Sequence, residues 1–113
     1  MLKKSNRITK DKEFDRAFKI GQSFYTKLFG IKAASNGLEI NRLGVLISTK
    51  VSKKAVIRNK VKRQIREIIQ KELPNLKNGK DLVIIVFSQI LGKKFEEIKE
   101  AFILALKKLK LYK

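Results

Sequence analysis

The stretch that decides the fold is Lys53–Lys71, KKAVIRNKVKRQIREIIQK. It carries eight Lys or Arg and a single acid, Glu67. Ile57, Val61, Ile65 and Ile68 recur at steps of four, four and three, the spacing of one buried helical face. Advancing ~100° per residue, Arg58, Asn59, Lys62, Arg63 and Arg66 fan across the opposite half. The stretch therefore reads as an amphipathic helix over about 53–72, apolar on one side and cationic on the other. Pro74 and Asn75 end it. Ser52-Lys53-Lys54 reads as its N-terminal cap, with both lysines in reach of an anion.

The neighbouring segments supply what the apolar side packs against. LGVLIS, from Leu43 to Ser48, is almost continuously apolar and reads as a strand buried on both faces. Ser23 to Ala34, with Phe24, Tyr25, Leu28, Phe29 and Ile31, reads as an earlier strand. SNG at 35–37 is a turn signal, and the two strands are expected to pair as an antiparallel hairpin across 35–42. Ahead of them Thr9 is the expected N-cap of a helix over 10–20. Asp11 and Glu13 lie in its first turn, Phe14, Ala17 and Phe18 at helical spacing, and Gly21 stops it. Beyond the basic helix, NGK at 78–80 turns the chain and DLVIIVF (81–87) reads as a buried strand. A last helix over 93–109 lines up Phe95, Ile98, Phe102, Leu106 and Leu109. Residues 1–8 read as a short, mobile basic tail. The order α-β-β-α-β-α predicts an α+β fold, a single-domain α-β sandwich of one sheet with helices. No repeat or linker divides 1–113.

Composition narrows the function. The 113 residues are 43% apolar, too apolar for a disordered basic tail and long enough to bury a core. The net charge is +18 and the sequence pI is about 10.4. Such imbalance repels itself in the compact state, so a polyanionic partner is expected: nucleic acid first, an anionic membrane second. There is no Cys and no His. That removes disulfides, thiolate metal sites and the commonest general base and zinc ligand. No run of ~18 apolar residues spans a membrane, and no secretory segment follows Met1-Leu2-Lys3-Lys4. A cytoplasmic protein is expected, with no membrane partner and no small-molecule substrate.

A charged stripe can be a merely solvated face. Such faces usually interleave carboxylates at i,i+4, and this one has almost none. Arg adds planar forks that grip phosphate oxygens or stack on bases. Membrane-surface helices insert large apolar residues into lipid; here the apolar side is β-branched and is wanted by the sheet. ALKKLKLYK at the C-terminus is more membrane-like, but its leucines suit a core.

IRNKVKRQIREII resembles the signature of the bacterial ribonuclease P protein subunit, an Arg-Asn-Arg triplet followed by Lys-Arg and a further Arg. Here these are Arg58-Asn59-Lys60, Lys62-Arg63 and Arg66, with Lys60 where the family has Arg, which keeps the charge and loses a bidentate grip. EFDRAFKIGQS resembles the family's first helix, RLGVLISTK the strand before the basic helix and DLVIIV the strand after it. An aromatic that many members carry on the first strand stands here as Lys32. The resemblance implies a ribosomal-protein-like fold with a left-handed βαβ crossover, an exception to the usual hand. It implies a subunit of the holoenzyme that removes the 5′ leader of precursor tRNA. The partners would be a catalytic RNA subunit and the precursor tRNA, and the RNA would perform the hydrolysis with Mg²⁺ that it largely binds itself.

By the same resemblance, Arg58, Asn59, Lys60, Lys62, Arg63 and Arg66 face the catalytic RNA, with Lys53 and Lys54 beside them. The leader would lie in a cleft between the first helix and the sheet, against Phe14 and Phe18, with Lys10 and Lys32 holding its backbone. From the residues alone, two Phe at i,i+4 read first as core; with the resemblance, at least one is expected to line the cleft. Asp11 and Asp15, four apart on the first helix, are close enough to share a metal but read first as dipole and solubility residues; no metal ligand is assigned. A structural RNA-binding protein such as a ribosomal component stays open as an alternative, as does a DNA-compacting or membrane-active protein. A protein-only nuclease would need clustered carboxylates for metal, and the ten acids are scattered.

Overall fold

A computed structural model describes residues 3–113. Helix α1 spans Asp11–Ile20, strands β1 and β2 span Gln22–Tyr25 and Phe29–Ser35, and β3 spans Arg42–Leu46. Helix α2 covers Ala55–Glu72, β4 Lys80–Val86 and α3 Phe95–Lys108. The four strands form one sheet in the order β1-β2-β4-β3.

Two expectations about the strands change. The segment 23–34 is not one strand but a β1–β2 hairpin, in register Gln22 to Ala33 and Tyr25 to Gly30. No Gly, Pro or Asn marks the break. The Thr26 hydroxyl makes it, accepting from the N–H groups of Leu28 and Phe29, both at 3.1 Å. Nor do β2 and β3 pair across 35–42. β4 lies between them, antiparallel to β2 and parallel to β3. The 36–41 link explains why. Asn36 Nδ2 donates to Ile40 O and Asp81 Oδ1, and buried Asn41 accepts from the Lys80 N–H at 2.8 Å. The link is thus stitched to the start of β4, and the chain reaches β3 only on β4's far side. β3–α2–β4 is then a βαβ unit. Central β4 is buried at Asp81–Ile84 and Val86, as its unbroken apolar run requires; edge strand β3 is buried only at Leu43 and Gly44.

Alternation along β2 divides the sheet. Phe29, Ile31 and Ala33 join the larger core with Val61, Ile65, Ile68 and Ile69 of α2 and Ile98, Phe102 and Leu106 of α3. Phe29 and Phe102 stack at 3.9 Å between centroids, 5° from parallel. Ala34 and Val83 join a smaller cluster with Ile8 and Ala17, flanked by Phe14 and Leu46. α1 thus covers only part of the second face.

The expected tail over 1–8 is corrected for its described part: Ile8 is buried and its N–H bonds Leu43 O at 2.9 Å, so residues 3–8 lie along β3. Met1 and Leu2 fall outside the described residues. Lys10, not Thr9, precedes α1, and Glu13 caps it by accepting from both backbone N–H groups. At the other end of the chain α3 closes in a Schellman turn. Lys110 sits at φ 57°, and the Leu111 and Lys110 N–H groups reach Leu106 O and Lys107 O.

Candidate nucleic-acid interface

The α2 face opposite the core is cationic along its length. Lys53, Lys54, Asn59, Lys60 and Arg63 are exposed; Arg58, Lys62 and Arg66 are half-buried. Among the described residues the helix has one ion pair, Lys71–Glu67 at 3.9 Å, with both ends exposed. Such a pair neutralises little. Ile57, expected in the core, is only half-buried, in the exposed first turn of α2. Val56 beside it is 78% exposed.

The start of α2 adds to the field. Its first turn holds no acid and Lys54 offers no side-chain cap, so the positive end of the dipole is left to solvent. Ser52 does not cap the helix as expected. Its hydroxyl accepts from the Lys54 N–H at 3.2 Å, and its carbonyl accepts from Arg58 Nη1 at 2.8 Å. Arg58 is therefore held close to the backbone. Further along, burial and then the neighbouring Arg7 guanidinium push Arg66 below its ordinary value. Two guanidinium groups set this close favour an anion beside them. Nothing in the sequence pairs Arg7 with Arg66; the fold sets Arg7 along β3 by its bridge to Leu43.

A second surface lies between α1 and the uncovered part of the sheet. Phe18 is 40% exposed. Lys32 Nζ stands 5.8 Å from its ring centroid and 5.6 Å from that of Tyr25, and donates to Ser23 Oγ at 2.8 Å. Phe14 is half-buried and seated on Gly44. A Cβ at Gly44 would lie 2.4 Å from its ring, so this Phe is a wall of the smaller core as much as of the cleft. Lys10 is not with this group. It lies at the opposite end of α1, ~12 Å along the axis from Phe18, in a groove of about 470 Å³ shared with Lys4, Arg7 and Arg42. Sequence reasoning missed Tyr25. Its neighbour across the hairpin is Gly30, and only the turn at Thr26 reveals that pairing.

Arg42 pins α1 to the sheet. Its Nε and Nη2 donate to Asp81 Oδ1 and Oδ2, both at 2.7 Å, and Nη1 donates to Glu13. The bonds to Asp81 raise the Arg42 pKa. Burial works against the Glu13 carboxylate, yet the N–H groups of Lys10 and Thr9 and the charge of Arg42 hold it below its ordinary value. These carboxylates are committed to structure. Among the described residues no three His, Cys, Asp or Glu side chains converge on a metal-sized site. Asp11 and Asp15 are exposed, and Asp15 shares a groove with Lys12, Arg16 and Lys19. This donor set does not fit a divalent cation. No helix among the described residues is long and apolar enough to cross a membrane.

Comparison with known proteins agrees with this geometry. The family model "Ribonuclease P" matches residues 2–110. The ribonuclease P protein component of Clostridium botulinum (strain 657 / Type Ba4) is 42% identical over 110 residues, covering 96% of this chain and 98% of the relative. The solved RNase P protein of Staphylococcus aureus superposes with a TM-score of 0.88 at 30% identity, covering 97% of this chain and all of that one. That of Thermotoga maritima gives 0.81 at 29%, covering 90% and 96%. Sequence, fold and the cationic α2 face converge: the chain belongs to the ribonuclease P protein component family, and its place is in an endoribonuclease complex.

Proposed function

We propose that the chain binds the catalytic RNA of ribonuclease P through α2 and the 5′ leader of precursor tRNA through the α1–sheet cleft. It thereby assists removal of the leader, and it works in the cytoplasm. The observation that carries the first half is the α2 stripe, a row of Lys, Arg and Asn donors with one weak internal ion pair. Folded RNA offers phosphates and 2′-hydroxyls to such donors. Arg63, Lys60 and Asn59 are exposed, with Lys53 and Lys54 at the exposed helix start. Arg58 and Arg66 flank them from half-buried positions.

The second half rests on Phe18 beside Lys32, an exposed ring and an ammonium on an open face. Ring faces stack on any base, giving grip without much sequence choice. The hydrolytic groups, and the Mg²⁺ they work with, are assigned to the RNA, since this chain has no His and its buried Asp81 and half-buried Glu13 are tied to Arg42. Reconstitution tests the reading. Added to a bacterial ribonuclease P RNA at low Mg²⁺, the chain is expected to rescue cleavage of precursor tRNA and to cleave nothing alone. Cleavage by the protein without RNA, or no rescue, would overturn it.

A further inference from the structure

Beside Phe18 and Lys32 the uncovered part of the sheet carries a second exposed ring, Tyr25. Tyr25 is 56% exposed, more than Phe18. Its ring packs closely against Gly30, its partner across the hairpin. A Cβ built there would come within 2.7 Å of two atoms of the Tyr25 ring, and 3.6 Å from Phe87 on the other side. Gly30 thus makes the bed for the ring. Glycine weakens a strand interior, so its presence is explained by the close approach it permits.

Lys32 stands between the two exposed rings, its ammonium 5.8 Å from Phe18 and 5.6 Å from Tyr25. Ser23 Oγ, on the strand opposite, accepts its hydrogen bond and fixes where the ammonium sits. The ammonium next to the Tyr25 phenol holds that phenol below its ordinary value. The charge has a hydroxyl partner and no carboxylate partner among the described residues. Ring, cation and ring are thus held in order across one hairpin and the end of α1.

A single-stranded nucleic acid has the complementary order: base, phosphate, base. From this we infer that Phe18, Lys32 and Tyr25 form a dinucleotide clamp, in which each ring stacks one of two consecutive leader bases and the ammonium takes the phosphodiester between them. The clamp rests on the assignment of the leader to the α1–sheet cleft and specifies its grip. Stacking is indifferent to base identity and the phosphate is common to all steps, so the clamp reads single-strandedness and not sequence. It needs two unpaired nucleotides, so a one-nucleotide leader cannot fill it.

The test uses the holoenzyme assembled from the chain and a bacterial ribonuclease P RNA. It compares precursor tRNA carrying a leader of several nucleotides with precursor carrying one. Tyr25→Ala is expected to weaken affinity for the long-leader precursor about tenfold, within the range for loss of one stacking partner. It should leave the short-leader precursor and the binding of the catalytic RNA unchanged. Tyr25→Phe is expected to bind as the wild type does. Gly30→Val keeps Tyr25 but lifts its ring, and is expected to copy the loss of Tyr25→Ala. Lys32→Met is expected to lower the salt slope of leader binding by about 0.7, one single-strand phosphate contact, while the ring variants leave that slope alone. A 2-aminopurine placed in the leader should be quenched in the wild-type complex and bright with Tyr25→Ala.

If Phe18→Ala loses its preference for the long-leader precursor while Tyr25→Ala and Gly30→Val behave as wild type, the clamp is wrong and the leader cleft stands. If the wild-type holoenzyme binds both precursors equally, the leader assignment falls and the clamp with it.

Discussion

The α2 interface makes a prediction in salt. Lys60 and Arg63 are three residues apart, neighbours on the helix surface, and both are exposed. Among the described residues neither has an intramolecular bond of the kind that ties Arg58 to Ser52. Replacing both with Ala removes two cations without touching the core, and Ala favours helix, so the fold should be unaffected. If the stripe neutralises about six phosphates, affinity should fall roughly 10³-fold between 50 and 200 mM salt. Removing two contacts lowers the slope of log affinity against log salt by about 2, and the same salt step then costs roughly 10²-fold. Fluorescence anisotropy of labelled catalytic RNA, titrated at several salt concentrations, measures both slopes. Lys107→Ala with Lys108→Ala is the matched control. Both lysines are exposed in the last turn of α3, and their loss changes net charge equally. An unchanged slope in the α2 variant, or an equal drop in the control, would show that diffuse charge and not this helix face makes the contact.

Three further outcomes are expected. Lys110 holds a left-handed conformation at the end of α3, which disfavours any side chain with a Cβ. Lys110→Gly should therefore stabilise the protein by about 0.5–1 kcal/mol, seen as a rise of a few degrees in Tm. The folded-state pKa of Glu13 is depressed below its ordinary 4.5, so its stabilisation is complete above that value and is lost as pH falls through the lower folded one. Urea melts from pH 6 to about pH 3 should show this loss in the wild type and a flatter profile in Glu13→Gln. Phe14→Ala empties the seat over Gly44 and should cost about 2–3 kcal/mol of stability for a half-buried Phe, whereas Phe18→Ala should cost leader affinity and little stability. Equal stability losses in thermal melts would refute that division.

Much of the fold was legible because the hydrophobic period is clean. The three helices fall within a few residues of their expected spans, and the unbroken apolar run of β4 announced a central strand. What failed was strand pairing. Leu43–Ser48 and the segment before it look like a hairpin because they are adjacent in sequence with a turn signal between them. The deciding interactions are polar and distant: Asn36 to Asp81 and Asn41 to Lys80 lie 45 and 39 residues apart. Local pattern carries no trace of them. The turn at Thr26 was hidden for a related reason, since a hydroxyl does there what Gly or Pro does elsewhere.

The candidate site divides along the same line. The α2 stripe is one helix read at one period, so its members could be placed from sequence by angle alone. The cleft draws on α1, β1 and β2, and its membership depends on register. Lys10 and Phe18 share a helix, yet lie at opposite ends of it; Tyr25 and Lys32 are seven apart, yet both border the same open patch of sheet. Where the family resemblance set an aromatic, this chain has Lys32, and an exposed ring stands on the adjacent strand over a glycine that makes room for it. A Tyr25 ring could not pack this closely over a β-branched residue at position 30, and without Tyr25 the ammonium of Lys32 would have one aromatic neighbour in place of two. The end of α1 and the open face of the sheet thus present a ring, a cation and a ring together, while the other face of the sheet is filled by the core that holds α2 in place.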